Sequence, residues 1–269
     1  MEKLSHGGQR FYEVDTEFGI QSFPSVTQVL SIIRKRFLET WRGNLGNDAC
    51  DMHLEMSAER GTRIHSGFET LLNGGIVLFN PRVKPNFTND AVEEYKKQYK
   101  DVTILESSEE VSICLKLKQF LNIVKPEILF TEKSVFSTEI RSAGTLDAIC
   151  KIKTGSYKIN GRNHLELPSG VVLLDLKTGT SLSDEYFLQL AAYMKAAEER
   201  KLVDKIDYAL ILHTSSANKS GISGFGVKVR TRKELLEDLE VYKHALALWE
   251  YKNSDSRPQI YTVPTSLSI

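Results

Sequence analysis

Cysteine is scarce in this chain of 269 residues: there are three, Cys50, Cys114 and Cys150, widely spaced and odd in number. They form no CxxC pair and no four-ligand set, which argues against a zinc site or an iron–sulfur cluster. Free thiols in a reducing compartment are the expectation. Long apolar runs are missing too: nothing approaches the roughly eighteen consecutive apolar residues that a membrane-spanning helix needs. The first residues, Met1 to His6, have neither the apolar stretch of a secretory signal nor the Arg-rich character of a transit peptide, so a soluble, intracellular (cytoplasmic) protein with no membrane partner is expected. Charge of one sign is not in excess either. Lys plus Arg and Asp plus Glu both number 35, for a formal net charge of zero. Any contact with nucleic acid therefore has to come from a local basic patch rather than from the overall field. No GxGxxG and no GxxxxGK[ST] occurs, which leaves a nucleotide-dependent small-molecule enzyme without its phosphate loop.

What is present is enough apolar material, 41% of the residues, for a full core. One compact domain over 1–269 fits this length. Residues 9–23 alternate weakly around Phe11, Tyr12, Val14 and Phe18, so 1–23 reads as a hairpin or extended arm. Pro24 and Ser25 precede an apolar run at helical spacing, a helix-start signal. A second helix is expected over about 58–72, with Ile64, Phe68, Leu71 and Leu72 on one stripe, then a Gly-, Asn- and Pro-rich loop over 73–90. Helices follow at 89–100 and 107–124. Residues 127–138, 142–153 and 171–177 read as strands, with a polar loop over 154–170 between the last two. A helix at 184–200, strands at 206–213 and 223–230, a helix at 231–252 and a tail from 254 complete the chain. The order implies an α/β fold, a sheet flanked by helices, with a helical region over 24–125 ahead of an α/β core over 126–253.

The chemistry-bearing residues start at Val171–Gly179. Four apolar residues lead into Asp175, and strand alternation puts Asp175 and Lys177 on one face with Leu176 on the other. Charges at the end of a buried strand need a reason, because burying them unpaired is costly. The triplets Glu94-Tyr95-Lys96 and Glu250-Tyr251-Lys252 fall in expected helices, where residues two apart share no face. Asp147 interrupts the apolar strand that follows Gly144 and Thr145, and read alone it is equally a strand-end Asp. Beside Asp175 on a neighbouring strand it supplies a second hard oxygen donor of the kind Mg²⁺ prefers. His65 and Glu69 are four apart on one helical face, with Gly61 a turn earlier, where an absent side chain lets a strand or a phosphate approach. A lone His beside an apolar stripe is more often structural than a ligand. Tyr186, Gln189 and Tyr193 share a face next to the core stripe of Phe187, Leu190, Ala191 and Met194.

Together, PSVTQVL (24–30), GTRIHSGFE (61–69), AGTLDAI (143–149), LLDLKTG (173–179) and LQLAAYM (188–194) resemble, in this order, the RecB-like branch of the PD-(D/E)XK nuclease superfamily. The similarity spans about 22–252 and is greatest to the mitochondrial genome maintenance exonuclease group and its phage and bacterial relatives. It implies a restriction-endonuclease-like core with a central mixed sheet, and a DNA exonuclease acting on single strands or free ends in replication, repair or recombination. It further implies Mg²⁺, with Mn²⁺ able to substitute, held by His65, Asp147, Asp175 and the Leu176 carbonyl. Lys177 would position or activate the attacking water, and Gln189 and Tyr193 would support the site. Glu132 falls where relatives often carry an acid. The cluster-binding cysteines of some members are absent, so no iron–sulfur cluster is implied, and a helicase motor, if used, would be a separate chain.

Among basic residues, Arg34-Lys35-Arg36, Lys228, Arg230, Arg232 and Lys233 read as solvated charge, and Arg60 and Arg63, flanking the turn that carries His65, are favoured for DNA. Phe11, Tyr12, Phe18 and Trp41 either stack on unpaired bases or pack internally. Two other functions remain open on sequence: a restriction-type double-strand endonuclease and a non-cleaving DNA-end binder of the same fold.

Overall fold

The computed structural model describes residues 1–33, 36–160, 163–214, 225–254 and 258. In chain order the elements are β1 (Glu2–His6), β2 (Gln9–Thr16), β3 (Gly19–Pro24), α1 (Val26–Leu30), α2 (Arg36–Leu45), α3 (Asn47–Leu72), β4 (Ile76–Phe79), α4 (Asn89–Gln98), β5 (Val102–Leu105) and α5 (Ser108–Val124). The second half runs β6 (Glu127–Ser137), β7 (Ser142–Ile152), β8 (Gly155–Asn160), β9 (Asn163–Leu167), β10 (Gly170–Lys177), α6 (Glu185–Glu199), β11 (Tyr208–His213), β12 (Gly226–Thr231) and α7 (Arg232–Lys252).

The expected α/β architecture is there. A central mixed sheet has the order β12-β11-β10-β7-β6, with β10 and β11 parallel and the other neighbours antiparallel. Parallel neighbours need a long crossover, and α6 lies within it. Helices cover both faces. On one side Leu173 packs with Phe187, Leu190 and Met194 of α6 and Leu235 and Tyr242 of α7. On the other, Leu174 and Leu176 pack with Ile64 and Phe68 of α3 and Leu117 and Phe120 of α5. Val172, Leu173, Leu174 and Leu176 are all 0% exposed, so β10 reads as a continuous apolar run rather than an alternation. Among the described residues, no helix is long and apolar enough to cross a membrane.

Three expectations are corrected and one is narrowed. Of the hairpin or extended arm expected at the N-terminus, the hairpin is found: β2 pairs with β3, and β1 extends it to a three-stranded sheet. Phe11 is fully buried and meets Trp249 edge-on, with ring centroids 6.0 Å apart. Gln9 Nε2 also donates to Asn253 Oδ1 at 2.6 Å, tying this sheet to the far end of the chain. Next, α3 begins at Asn47, not near residue 58, and α2 precedes it. The early turns of α3 are exposed on nearly every side, so they carry no apolar stripe to mark them. The loop expected over 73–90 contains β4, which pairs in parallel with β5. Finally, the loop expected over 154–170 is an antiparallel hairpin, β8 with β9. Residues 34–35 of the basic triplet, 223–224 of the expected strand and most of the tail lie outside the described residues.

Candidate active site

Sheet register brings three carboxylates into line. Leu174 of β10 pairs with Ala148 of β7, so Asp175 and Asp147 are the next residues along that ladder. On the opposite side of β7, Thr131 pairs with Ala148 and Lys133 with Leu146, which leaves Glu132 across from Asp147. Asp147 thus has an acid on each flank. Glu132 holds φ 42°, a left-handed backbone that costs a non-glycine residue on the order of 1–3 kcal/mol and that collects at functional sites.

The imidazole arrives from α3. Ile64 and Phe68 are buried in the core and fix the helix, which leaves His65 at its margin, with Nδ1 3.3 Å from Asp147 Oδ1. The other oxygen, Asp147 Oδ2, accepts the Leu176 N–H at 2.7 Å. His65, Glu132 and Asp147 each offer a ligand atom within 4.8 Å of the others. They line an open cleft of about 550 Å³ together with Arg10, Gly61, Thr62, Ser66 and Glu69. A side chain at Gly61 would meet nothing within 4 Å, so the open side expected there faces the cleft and not a strand.

Asp175 and Lys177 form the second half of the site. Lys177 Nζ lies 2.7 Å from Asp175 Oδ2, and both side chains are buried, 16% and 4% exposed. The two charges thus neutralise one another at that oxygen as an ion pair. The ammonium is also 4.6 Å from the Tyr186 ring centre and 3.5 Å from Gln189 Oε1, the outer limit for a hydrogen bond. Gln189 Nε2 in turn donates to the Tyr193 hydroxyl at 3.3 Å. Tyr193 presses on Gly144, where a Cβ would sit 2.5 Å from its ring. The glycine three residues before Asp147 is therefore a packing requirement of this brace.

The electrostatics follow from burial opposed by pairing. Burial, with the Asp147 charge adding to it, pushes Glu132 up to about 7. Burial likewise raises Asp175 to about 6, against the pull of Lys177. For Asp147 burial works in the same direction, but His65, Lys177 and the Leu176 N–H outweigh it and hold the acid below its usual range. Burial opposes the charged forms of His65 and Lys177, yet their carboxylate neighbours prevail and raise both.

Of the residues singled out from sequence, His65, Asp147, Asp175, Leu176, Lys177, Gln189, Tyr193, Glu69 and Glu132 all meet here. Glu132 stands in the tight ligand cluster, whereas Asp175 turns toward Lys177. Leu176 meets Asp147 through its N–H, whereas the resemblance implied its carbonyl as a ligand. Arg60 and Arg63 are engaged by acids: Arg60 Nη1 reaches both oxygens of Glu109, at 3.0 and 2.9 Å, and Arg63 Nη2 lies 2.8 Å from Glu110. Of the aromatic candidates, Phe11 and Tyr12 are buried, Trp41 stands against His53, and Phe18 is 81% exposed at the β2–β3 turn. Sequence reasoning missed Arg10, on the cleft wall, because its place depends on how the first sheet docks.

One imidazole and two carboxylates within ligand distance of each other, beside the buried Asp175 carboxylate and its Lys177 partner, suit a hard divalent cation such as Mg²⁺ or Mn²⁺. No family model matches the chain, and no curated protein matches it either.

Proposed function

We propose that this chain is a Mg²⁺-dependent deoxyribonuclease, with Mn²⁺ able to substitute, that hydrolyses phosphodiester bonds as an exonuclease on single-stranded DNA or DNA ends. One observation carries the reading: His65, Glu132 and Asp147 cluster beside the buried Asp175–Lys177 pair at the end of β10. The order of the sequence motifs supports it, and the resemblance alone favours ends over internal sites. Three cysteines, all free and buried, suit an intracellular setting.

His65, Glu132, Asp147 and Asp175 are the residues that would hold the cation, which supplies Lewis-acid polarisation and charge neutralisation at the phosphoryl group. Lys177 places a positive charge next to the carboxylates, where a phosphorane-like transition state gathers negative charge. The Tyr186 ring and the Gln189 amide hold that ammonium in place before substrate arrives. The Leu176 N–H fixes Asp147 Oδ2, leaving Oδ1 on the His65 side. Preorganised donors of this kind need no rearrangement as charge develops.

The test uses labelled linear and covalently closed circular single-stranded DNA, each with Mg²⁺ or EDTA. Degradation of the linear strand alone, and only with Mg²⁺, is expected. Cleavage in EDTA would contradict the metal requirement, and cleavage of the circle would contradict a strict exonuclease.

A further inference from the structure

Three carboxylates on one cleft repel a polyanion, so a nuclease built on them needs a cation that is not already committed to an acid. Arg60 and Arg63 are committed, to Glu109 and Glu110. Arg10 is the one lysine or arginine among the described residues lining the cleft, and it makes no ion pair with any described residue. Its side chain is exposed on β2. Arg10 also lines a second hollow, of about 480 Å³, with Lys3, Ser25, Thr27 and Gln28 on its walls and no acidic residue among the described ones. Arg10 therefore stands between an acidic cleft that suits a cation and an adjoining cationic and hydroxyl-rich hollow that suits an anion.

The backbone of Arg10 is tied on both sides. Ser25 N–H donates to the Arg10 carbonyl at 2.9 Å, and the Arg10 N–H points at Gln28 Oε1, 3.4 Å away. Ser25 itself caps α1 by accepting the Gln28 N–H at 3.1 Å, and it bridges to Ala143 at the start of β7. The Pro24–Gln28 segment thus couples the strand that bears Arg10 to the strand that bears Asp147. A guanidinium whose root is fixed loses less freedom when it binds, and its planar fork matches a phosphate.

Resting on the proposed nuclease reading, we infer that Arg10 is the phosphate anchor of the substrate strand. It grips a phosphate next to the scissile one and leads the single strand out of the carboxylate cleft into the hollow beside Lys3 and Thr27. In this arrangement Arg10 binds and positions the strand, and Arg60 and Arg63 serve the fold.

The experiment compares wild type, Arg10→Ala, Arg10→Lys and Lys243→Ala, the last an α7 lysine paired with Glu240 that lines neither hollow. Fluorescence anisotropy with a single-stranded oligodeoxynucleotide in EDTA, across a salt series, reads affinity and phosphate contacts. Loss of one contact lowers the steepness of log K against log salt by about 0.7 on a single strand. Arg10→Ala is expected to show that drop with about tenfold weaker binding, and a KM raised by a similar factor with kcat little changed. Arg10→Lys should retain the salt slope but lose part of the affinity, which separates charge from fold. If wild type binds and cleaves while Arg10→Ala matches Lys243→Ala in slope and KM, the anchor assignment fails and the nuclease reading stands. If wild type neither binds nor cleaves DNA, both fail.

Discussion

Lys177→Ala is expected to lower Mg²⁺-dependent cleavage of linear single-stranded DNA by on the order of 10²–10³-fold, the usual loss when one preorganised donor to a developing charge is removed. The size follows from how little else could replace it. Lys177 Nζ is held among Asp175 Oδ2, Gln189 Oε1 and the Tyr186 ring, in a site where water is largely excluded. DNA affinity should stay within a few-fold, because the phosphate anchor is a separate side chain. The substitution also strands a buried carboxylate, which by itself costs roughly 3–5 kcal/mol of stability. Lys177→Ala combined with Asp175→Asn removes that stranded charge, so it should regain much of the lost stability while staying inactive. Single-turnover cleavage measured with circular dichroism melting on both variants checks this. Near-normal cleavage by either one would remove Lys177 from the chemistry.

Gly144→Ala tests the brace behind that lysine. The added methyl would lie 2.5 Å from Tyr193 Cε1 and 2.7 Å from its hydroxyl oxygen. Tyr193 is 4% exposed within the α6 layer and has nowhere to retreat, so overpacking of about 1–3 kcal/mol is expected. Displacing the ring moves Gln189, which bridges Tyr193 to Lys177. A shift near 1 Å in such a group lowers activity by on the order of 10²-fold. Tyr193→Leu introduced with Gly144→Ala removes the clash, so the double variant should be more stable than the sum of the single effects. Thermal melting of the cycle, together with cleavage rates, gives the answer. Gly144→Ala at wild-type stability and rate would show that this packing does not matter.

The elements that sequence placed well are those with strong periodicity at both ends. Helix α5 is an example, because Ser107 and Glu110 form a capping box and an apolar stripe runs on to Val124. The Asp175-x-Lys177 spacing was legible because alternation on a strand has a fixed period of two. What was not legible depends on pairing between distant segments. The resemblance alone points to Glu132; its place in the ligand cluster follows from the β6–β7 register, which a local bulge between Ile128 and Phe130 shifts. Strands β4 and β5 are four residues each, and β4 sits in a Gly- and Asn-rich stretch where composition favours loop. The engagement of Arg60 and Arg63 depends on the start of α5 approaching α3, which no neighbouring residue signals. Arg10 escaped for the same reason: an exposed arginine on a hairpin acquires meaning only when β2 is docked beside Asp147 and His65.

The proposed chemistry requires one ion shared between the His65 imidazole of α3 and the carboxylates of β6, β7 and β10. Anomalous scattering at the manganese edge, from a crystal of the full chain soaked in Mn²⁺, tests this directly. The predicted result is a peak in the cleft with His65 and Asp147 donor atoms at about 2.1 Å and with Glu132 or Asp175 completing the shell. A clean map with no peak there, or a peak elsewhere with His65 and Asp147 still in contact only with each other, would contradict it.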